Sequence, residues 1–68
     1  MSEKVTVEYY GDPLQVKLIG AVDVPANRRI ETAQSIGKAI CKALGLKSMD
    51  AVLIDKDGNK ADQIIVWR

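Results

Sequence analysis

Hydrophobic and polar residues alternate along the first part of the chain. Val5, Val7 and Tyr9 fall on one side of this pattern, and polar residues or Tyr10 fall between them. This two-residue period is typical of a strand with one buried face. Residues 11–13, "GDP", interrupt the pattern and favour a turn. The chain therefore begins with a predicted β-hairpin. The inward positions of its second strand are Leu14, Val16, Leu18, Gly20, Val22 and Val24, with a bend or bulge at Gly20.

A helical period follows the second strand. Pro25 ends the strand, and Asn27 is the predicted N-cap of the helix. The apolar side chains that recur at three- and four-residue spacing are Ile30, Ala33, Ile36, Gly37, Ile40, Ala43 and Leu44. Gly45 is placed to end the helix in a left-handed conformation. Since glycine costs about 1 kcal/mol inside a helix, Gly37 predicts a close approach of the helix to a strand.

Two more strands follow the helix. Residues 51–55, "AVLID", form the third strand, residues 56–59, "KDGN", form a turn, and residues 63–68, "QIIVWR", form the closing strand. The apolar run in the closing strand favours a central position in the sheet. The sequence thus predicts one α+β domain over residues 1–68, with the order ββαββ and one helix packed across a four-stranded sheet.

Composition narrows the functional classes. The chain has 68 residues, which leaves room for one core, and a net charge of +1, which does not by itself indicate binding to nucleic acid or membranes. Histidine is absent, so the usual general base and the commonest metal ligand are missing. The single cysteine, Cys41, excludes an intrachain disulfide and favours a cytoplasmic location. An enzyme, a cofactor and a membrane-bound protein are not predicted.

Two local features are candidate chemical sites. Residues 55–59, "DKDGN", begin like a calcium loop, but Lys60 stands where the required glycine belongs and Val66 stands where the closing glutamate belongs. A hairpin turn is therefore predicted there. Cys41 lies beside the apolar stripe of the helix, where a small buried thiol packs well, and no partner cysteine is available to it.

The candidate contact residues lie on two predicted surfaces. Tyr10, Lys17 and Ile19 fall on the outward side of the hairpin, where the apolar side chain of Ile19 is not needed by an isolated domain. Arg28 and Arg29 precede the helix and are suited to bind phosphates or an acidic protein surface.

The order of elements resembles the ubiquitin-like β-grasp fold. In that family a V-x-V-P segment ends the second strand, here Val22 to Pro25, and a short loop leads into the helix, here residues 27–30. The last strand, here residues 63–68, lies beside the first. The resemblance implies a four-stranded mixed sheet. Conjugated modifiers and sulfur carriers of this family end in Gly-Gly, whereas this chain ends in "IIVWR". The resemblance therefore implies a binding module or small subunit.

A shorter segment resembles AbrB-like transition-state regulators. Residues 36–54, "IGKAICKALGLKSMDAVLI", align with the pattern I-P-x-x-I-R-x-x-L-G-I-x-x-G-D-x-V, and Gly37, Cys41 and Met49 replace its Pro, its Arg and the Gly that precedes the Asp. This resemblance implies an obligate dimer that binds DNA, with Arg28 and Arg29 as the first candidates for phosphate contacts.

The favoured interpretation is a small non-enzymatic module that binds another protein in the cytoplasm, as a monomer or weak dimer. A dimeric DNA-binding regulator is the alternative. The two differ in a measurable way, because DNA binding through phosphate contacts falls steeply with salt.

Overall fold

A computed structural model describes residues 3–12 and 14–68, so Pro13 of the predicted first turn lies outside the described residues. Two strands, β1 (Lys4–Tyr10) and β2 (Leu18–Pro25), precede the helix α1 (Arg29–Leu44), and β3 (Ser48–Ile54) and β4 (Lys60–Trp67) follow it. A short 3₁₀ turn, Ala26–Arg28, joins β2 to α1. The predicted α+β class, with one helix packed across a four-stranded sheet, is confirmed.

Every strand pairing in this sheet is antiparallel, and the strand order is β2-β1-β3-β4. The predicted mixed sheet is therefore wrong. The predicted central position of the last strand, beside the first, is also wrong, because β4 lies at one edge. The tight turn at residues 55–59 returns the chain directly alongside β3, so β4 pairs there and β1 takes the other side of β3. β3 is a central strand, and its residues 49–53 are all buried.

The helix makes a crossover connection. β2 and β3 both run antiparallel to β1 and are therefore parallel to each other, with β1 between them. Strands related in this way cannot be joined by a hairpin, so the chain must cross a face of the sheet. α1 makes this crossing and covers that face. The other face is left without a helix in the described part of the chain.

The core lies between α1 and the face of the sheet that it covers. Its buried members from the strands are Val5, Val7, Tyr9, Val24, Met49, Ala51, Leu53 and Val66, and those from α1 are Ala33, Gly37 and Cys41. The three inward positions predicted for β1 are thus all buried.

The helix and sheet approach most closely at Gly37. A Cβ atom at this position would lie 2.8 Å from Cγ1 of Val66 and 3.1 Å from Cε1 of Tyr9. The predicted reason for this glycine is confirmed. The hydroxyl group of Tyr9 donates a hydrogen bond to the backbone oxygen of Ala33 at 2.7 Å, and burial raises the pKa of Tyr9 to about 12.

The two ends of α1 differ in how well the sequence predicted them. Asn27 lies in the 3₁₀ turn, and the residue before α1 is Arg28, which makes no side-chain cap. The prediction of Asn27 as N-cap is wrong, because the turn comes between it and the helix. At the other end Gly45 has a φ of 71°, and its N–H and that of Leu46 donate to the backbone oxygen of Cys41. The predicted helix end is confirmed. No helix within the described residues is long and apolar enough to cross a membrane.

The connection between β1 and β2 is longer than predicted. β2 begins only at Leu18, and Leu14 and Val16 are 81% and 74% exposed, so the inward positions predicted for these three residues are wrong. The cause is the carboxylate of Asp12, which accepts hydrogen bonds from the backbone N–H groups of Val16 and Lys17. A side chain that satisfies backbone donors in this way stabilises a loop in place of a ladder.

A β-bulge precedes the regular part of β2. Tyr9 faces Gly20 while Tyr10 faces Leu18, so Ile19 is an extra residue on β2. The bulge was predicted one residue further along, at Gly20. Beyond it the strand keeps its predicted inward parity.

Candidate functional site

The face of the sheet opposite α1, here called the outer face, carries a line of side chains that crosses all four strands. Tyr10 of β1 faces Leu18 of β2 on one side and Asp50 of β3 on the other, and Asp50 faces Ile65 of β4. Residues that face each other on adjacent strands have Cβ atoms about 4.5–5.5 Å apart. Leu18, Tyr10, Asp50 and Ile65 therefore form a contiguous strip, here called the cross-strand row.

Both ends of the cross-strand row are apolar and exposed. Leu18 and Ile65 are each 54% exposed. Trp67, two residues beyond Ile65 on the same face of β4, is 63% exposed, and Ile19 lies exposed beside Leu18 at the bulge. Single exposed apolar residues are common on proteins, but here each end of the row carries an adjoining pair, Leu18 with Ile19 and Ile65 with Trp67, and such grouping is typical of a contact surface.

The polar groups of the row are already hydrogen-bonded to their neighbours. The amide of Gln63 donates to a carboxylate oxygen of Asp50 at 3.2 Å, and the amine of Lys60 donates to the side-chain oxygen of Gln63. The hydroxyl of Tyr10 donates to Glu8 at 2.8 Å, and this hydrogen bond raises the pKa of Tyr10 above its usual value. These contacts fix the side chains before any partner arrives, which lowers the entropy cost of binding.

The structure separates the first three predicted contact residues. Tyr10 lies in the cross-strand row, half-buried, and Ile19 lies at its β2 end. Lys17 was predicted on the outward face of a strand, but it precedes β2 and belongs to the loop closed by Asp12. Tyr10 and Ile19 are therefore brought together, and Lys17 lies at the margin of the site.

The two predicted arginines lie away from the row, near the start of α1. Arg29 donates from Nε to Asp62 at 2.9 Å and from an η nitrogen to the backbone oxygen of Ala26 at 3.0 Å. It thus connects α1 to β4 and to the turn before the helix. Arg28 is exposed, with an η nitrogen 3.8 Å from Glu31. The hydrogen bonds of Arg29 weaken its candidacy as a phosphate ligand, whereas the exposed pair of Arg28 and Glu31 leaves Arg28 accessible.

Sequence reasoning did not select Leu18, Ile65 or Trp67. The alternating pattern predicts an inward Leu18, because it does not reveal the loop closed by Asp12. The side chain of Trp67 could not be assigned to a face by parity alone. A usable signal was present in residues 64–67, where four apolar residues follow one another. In a strand with a helix on one side only, two of these four side chains must point away from the helix.

The remaining sequence features have structural roles. In the predicted turn, the carboxylate of Asp55 accepts hydrogen bonds from the N–H groups of Asp57 and Asn59, both at 2.9 Å, and Gly58 has a φ of 83°. The residue types of "DKDGN" therefore build the hairpin turn that places β4 beside β3. Cys41 is buried in the core, with its Sγ 3.9 Å from the backbone oxygen of Val66.

Comparison with known proteins adds no assignment to this geometry. No family model, no curated protein and no solved structure matches the chain. The residues of the outer face and of the sheet edges are therefore the features from which a function can be inferred.

Proposed function

We propose that this chain is a non-enzymatic protein-binding module of the cytoplasm, and that it binds its partner through the cross-strand row. One observation carries the proposal: the row has two exposed apolar ends, Leu18 at one and Ile65 with the adjoining Trp67 at the other, joined across the sheet by Tyr10 and Asp50. α1 satisfies the opposite face of the sheet and does not reach this one.

The shape and chemistry of the row favour a protein over a small ligand. A sheet face is broad and shallow, whereas small-molecule sites are concave. Tyr and Trp flanked by aliphatic residues are enriched at the centres of protein interfaces. The buried Asp50, already bonded to Gln63, supplies an acceptor that a partner's donor can join.

The DNA-binding alternative has less support. Its candidate contacts were Arg28 and Arg29, and the first lies beside Glu31 while the second is held by Asp62. Affinity for DNA depends mainly on cations free to neutralise phosphates, and the net charge of the chain is +1. Sedimentation of the chain with duplex DNA at two salt concentrations tests this. We expect no co-sedimentation at physiological salt, and an affinity that falls steeply with salt would favour the regulator instead.

A matched pair of substitutions tests the proposed binding surface. Leu18 in the row and Leu44 on α1 are almost equally exposed, at 54% and 56%. Leu18→Gln and Leu44→Gln therefore remove the same chemistry from two places. A partner is first isolated by photo-cross-linking from cells that express the chain, then purified, and its affinity for each variant is measured by calorimetry.

We expect Leu18→Gln to weaken binding about five-fold, because burial of half a leucine side chain contributes about 1 kcal/mol. Leu44→Gln should leave the affinity unchanged within two-fold. Thermal unfolding of both variants checks that each is folded. Equal losses for the two variants, or a larger loss for Leu44→Gln, would move the interface away from the outer face.

A further inference from the structure

The backbone of β4 has an unpaired edge with a definite set of free groups. The N–H of Arg68 donates to the oxygen of Lys47 at 2.9 Å, which continues the β3–β4 register by one pair. In an antiparallel ladder, residues that bond to the neighbouring strand alternate with residues whose N–H and C=O point away from it. Gln63, Ile65 and Trp67 therefore direct their backbone groups away from β3, toward open space.

The other sheet edge is protected, and this edge is not. On β2 the same alternation starts from the bond between the N–H of Ala26 and the oxygen of Glu3, so the outward positions include Asp23 and Pro25. Pro25 has no N–H, Asp23 is charged, and the bulge at Ile19 disturbs the other end. Such features prevent edge-to-edge pairing. None of the three outward residues of β4 is charged or a proline.

A second copy of this chain fits the β4 edge by two-fold symmetry. The outward residues 63, 65 and 67 are evenly spaced about Ile65, so an antiparallel copy centred there brings Ile65 against Ile65 and Gln63 against Trp67. This register forms about six backbone hydrogen bonds, two for each facing pair. On the opposite face it sets Ile64 against Val66, and Asp62 against Arg68.

The charges favour this register over the one centred on Ile64. Centred on Ile65, the charged pair at the edge joins Asp62 of one copy to Arg68 of the other, and Asp62 already pairs with Arg29 of its own chain. A register centred on Ile64 would instead set Lys60 against Arg68 and Asp62 against Val66. Like charges directly opposite each other destabilise a strand pair. Of these two registers, only the one centred on Ile65 has no like-charge facing pair.

The surroundings of the edge leave room for an added strand. A groove of about 250 Å³ runs between α1 and the end of β4, lined by Gln34 and Lys38 of the helix and by residues 65–68. α1 therefore does not cover the edge along this stretch. Ile65 and Trp67, both more than half exposed, would lose solvent contact on pairing.

From these observations we propose that two copies of the chain pair through their β4 edges, antiparallel and centred on Ile65, and form one continuous eight-stranded sheet. The two cross-strand rows then meet at Ile65 and become a single strip on one face. The dimer goes beyond the proposed function, because it depends on backbone pairing at β4. It leaves the other end of each row, Leu18 and Ile19, open to a different protein.

Engineered cysteines test the register. In the proposed dimer the two copies of residue 65 have Cα atoms about 5.5 Å apart, within disulfide range. The two copies of residue 63 are offset by four residues, or roughly 13 Å, and cannot be bridged. Ile65→Cys should therefore form a covalent dimer under mild oxidation at least about ten-fold faster than Gln63→Cys. An equimolar mixture of Gln63→Cys and Trp67→Cys should form a covalent heterodimer. Cys41 is buried and does not compete.

Leu44→Cys, on an exposed helix position, gives the rate of random collision. Rapid cross-linking of Gln63→Cys alone would refute the register. Rates for Ile65→Cys no higher than those for Leu44→Cys would refute the dimer.

Sedimentation equilibrium tests the dimer without cross-linking. We expect Ile65→Lys to weaken self-association roughly a hundred-fold, because it sets two ammonium groups against each other at the symmetry axis. An equimolar mixture of Ile65→Lys and Ile65→Glu should restore the dimer, which a folding defect could not do. The proposal would be overturned if the wild-type chain stayed monomeric up to about millimolar concentration. It would also be overturned if a different protein, and not a second copy of this chain, paired with the β4 edge. Neither result would alter the Leu18→Gln comparison, so the two proposals fail separately.

Discussion

Gly37→Ala measures how tightly α1 lies on the sheet. The added Cβ would be 2.8 and 2.9 Å from the two Cγ atoms of Val66 and 3.1 Å from Cε1 of Tyr9. Val66 is buried and β-branched, so its side chain has few alternative rotamers. Tyr9 is held by its hydrogen bond to Ala33. Neither neighbour can move aside at low cost.

Two opposing terms set the size of the effect. Alanine is a better helix former than glycine by about 1 kcal/mol. Overpacking of a filled core costs about 1–3 kcal/mol, and the short distances to Val66 place this substitution in the upper part of that range. We expect a net loss of about 1–2 kcal/mol in the free energy of unfolding. For a domain of this size that lowers Tm by roughly 5–15 °C.

Urea unfolding followed by far-UV circular dichroism measures the change. Ala39→Gly, at an exposed position of the same helix, reports the helix-propensity term alone and should cost about 1 kcal/mol. In a Val66→Ala background both close Cγ atoms are gone, so Gly37→Ala should become neutral or mildly stabilising. The reasoning fails if Gly37→Ala stabilises the wild-type chain, or if its effect is the same in both backgrounds.

Three further outcomes follow from single residues. Tyr9 should titrate near pH 12 in a spectrophotometric titration, and a midpoint near 10 would contradict its burial. Because the folded pKa of Tyr9 is raised, the stability that this residue contributes is complete below pH 10 and is lost as the pH rises through the folded value. The hydrogen bond from the backbone N–H of Lys17 lowers the pKa of Asp12 below 3.8. The ionised carboxylate should therefore stabilise its loop above pH 3.8, and this stabilisation should be lost as the pH falls through the lowered pKa. An NMR titration should show the same midpoint for the Asp12 carboxylate and the Lys17 amide. Gly45→Ala should lower the free energy of unfolding by about 1–2 kcal/mol, because the φ of Gly45 is 71°. Gly20→Ala is the control: no atom lies close to the added Cβ, so the free energy of unfolding should change by less than about 0.5 kcal/mol. Equal losses for the two variants in urea unfolding would contradict the left-handed cap.

The sequence predicted the structure correctly where that structure depends on residues close together in the chain. The inward side chains of β1, the end of α1 at Gly45 and the turn at residues 55–59 all follow from alternation or from the needs of one backbone conformation. Gly37 was also interpreted correctly, since a glycine inside a helix has few uses other than close packing. The alternating pattern does not reveal the loop closed by Asp12, because the hydrogen bond that the backbone N–H of Lys17 donates to the Asp12 carboxylate overrides that pattern.

The proposed binding surface is predicted less well from the sequence, because it depends on strand order. Alternation along β4 places Ile65 and Trp67 on one face of the strand and Val66 on the other. It does not show which strand β4 pairs with, or that β4 forms an edge of the sheet. The sequence predicts Arg29 as a candidate contact residue, yet its Nε donates a hydrogen bond to Asp62, 33 residues further along the chain. Such a contact has no local signature.

The sequence by itself determined the α+β class, the inward residues of β1, the end of α1 at Gly45 and the turn at residues 55–59, because these depend on hydrophobic periodicity and on the backbone preferences of a few residues. Only the tertiary structure decided that the sheet is antiparallel throughout, that β4 lies at an edge, and that Leu18, Tyr10, Asp50 and Ile65 form one row. The physical reason is that strand pairing joins residues far apart in the chain, and several pairings bury the same inward side chains equally well.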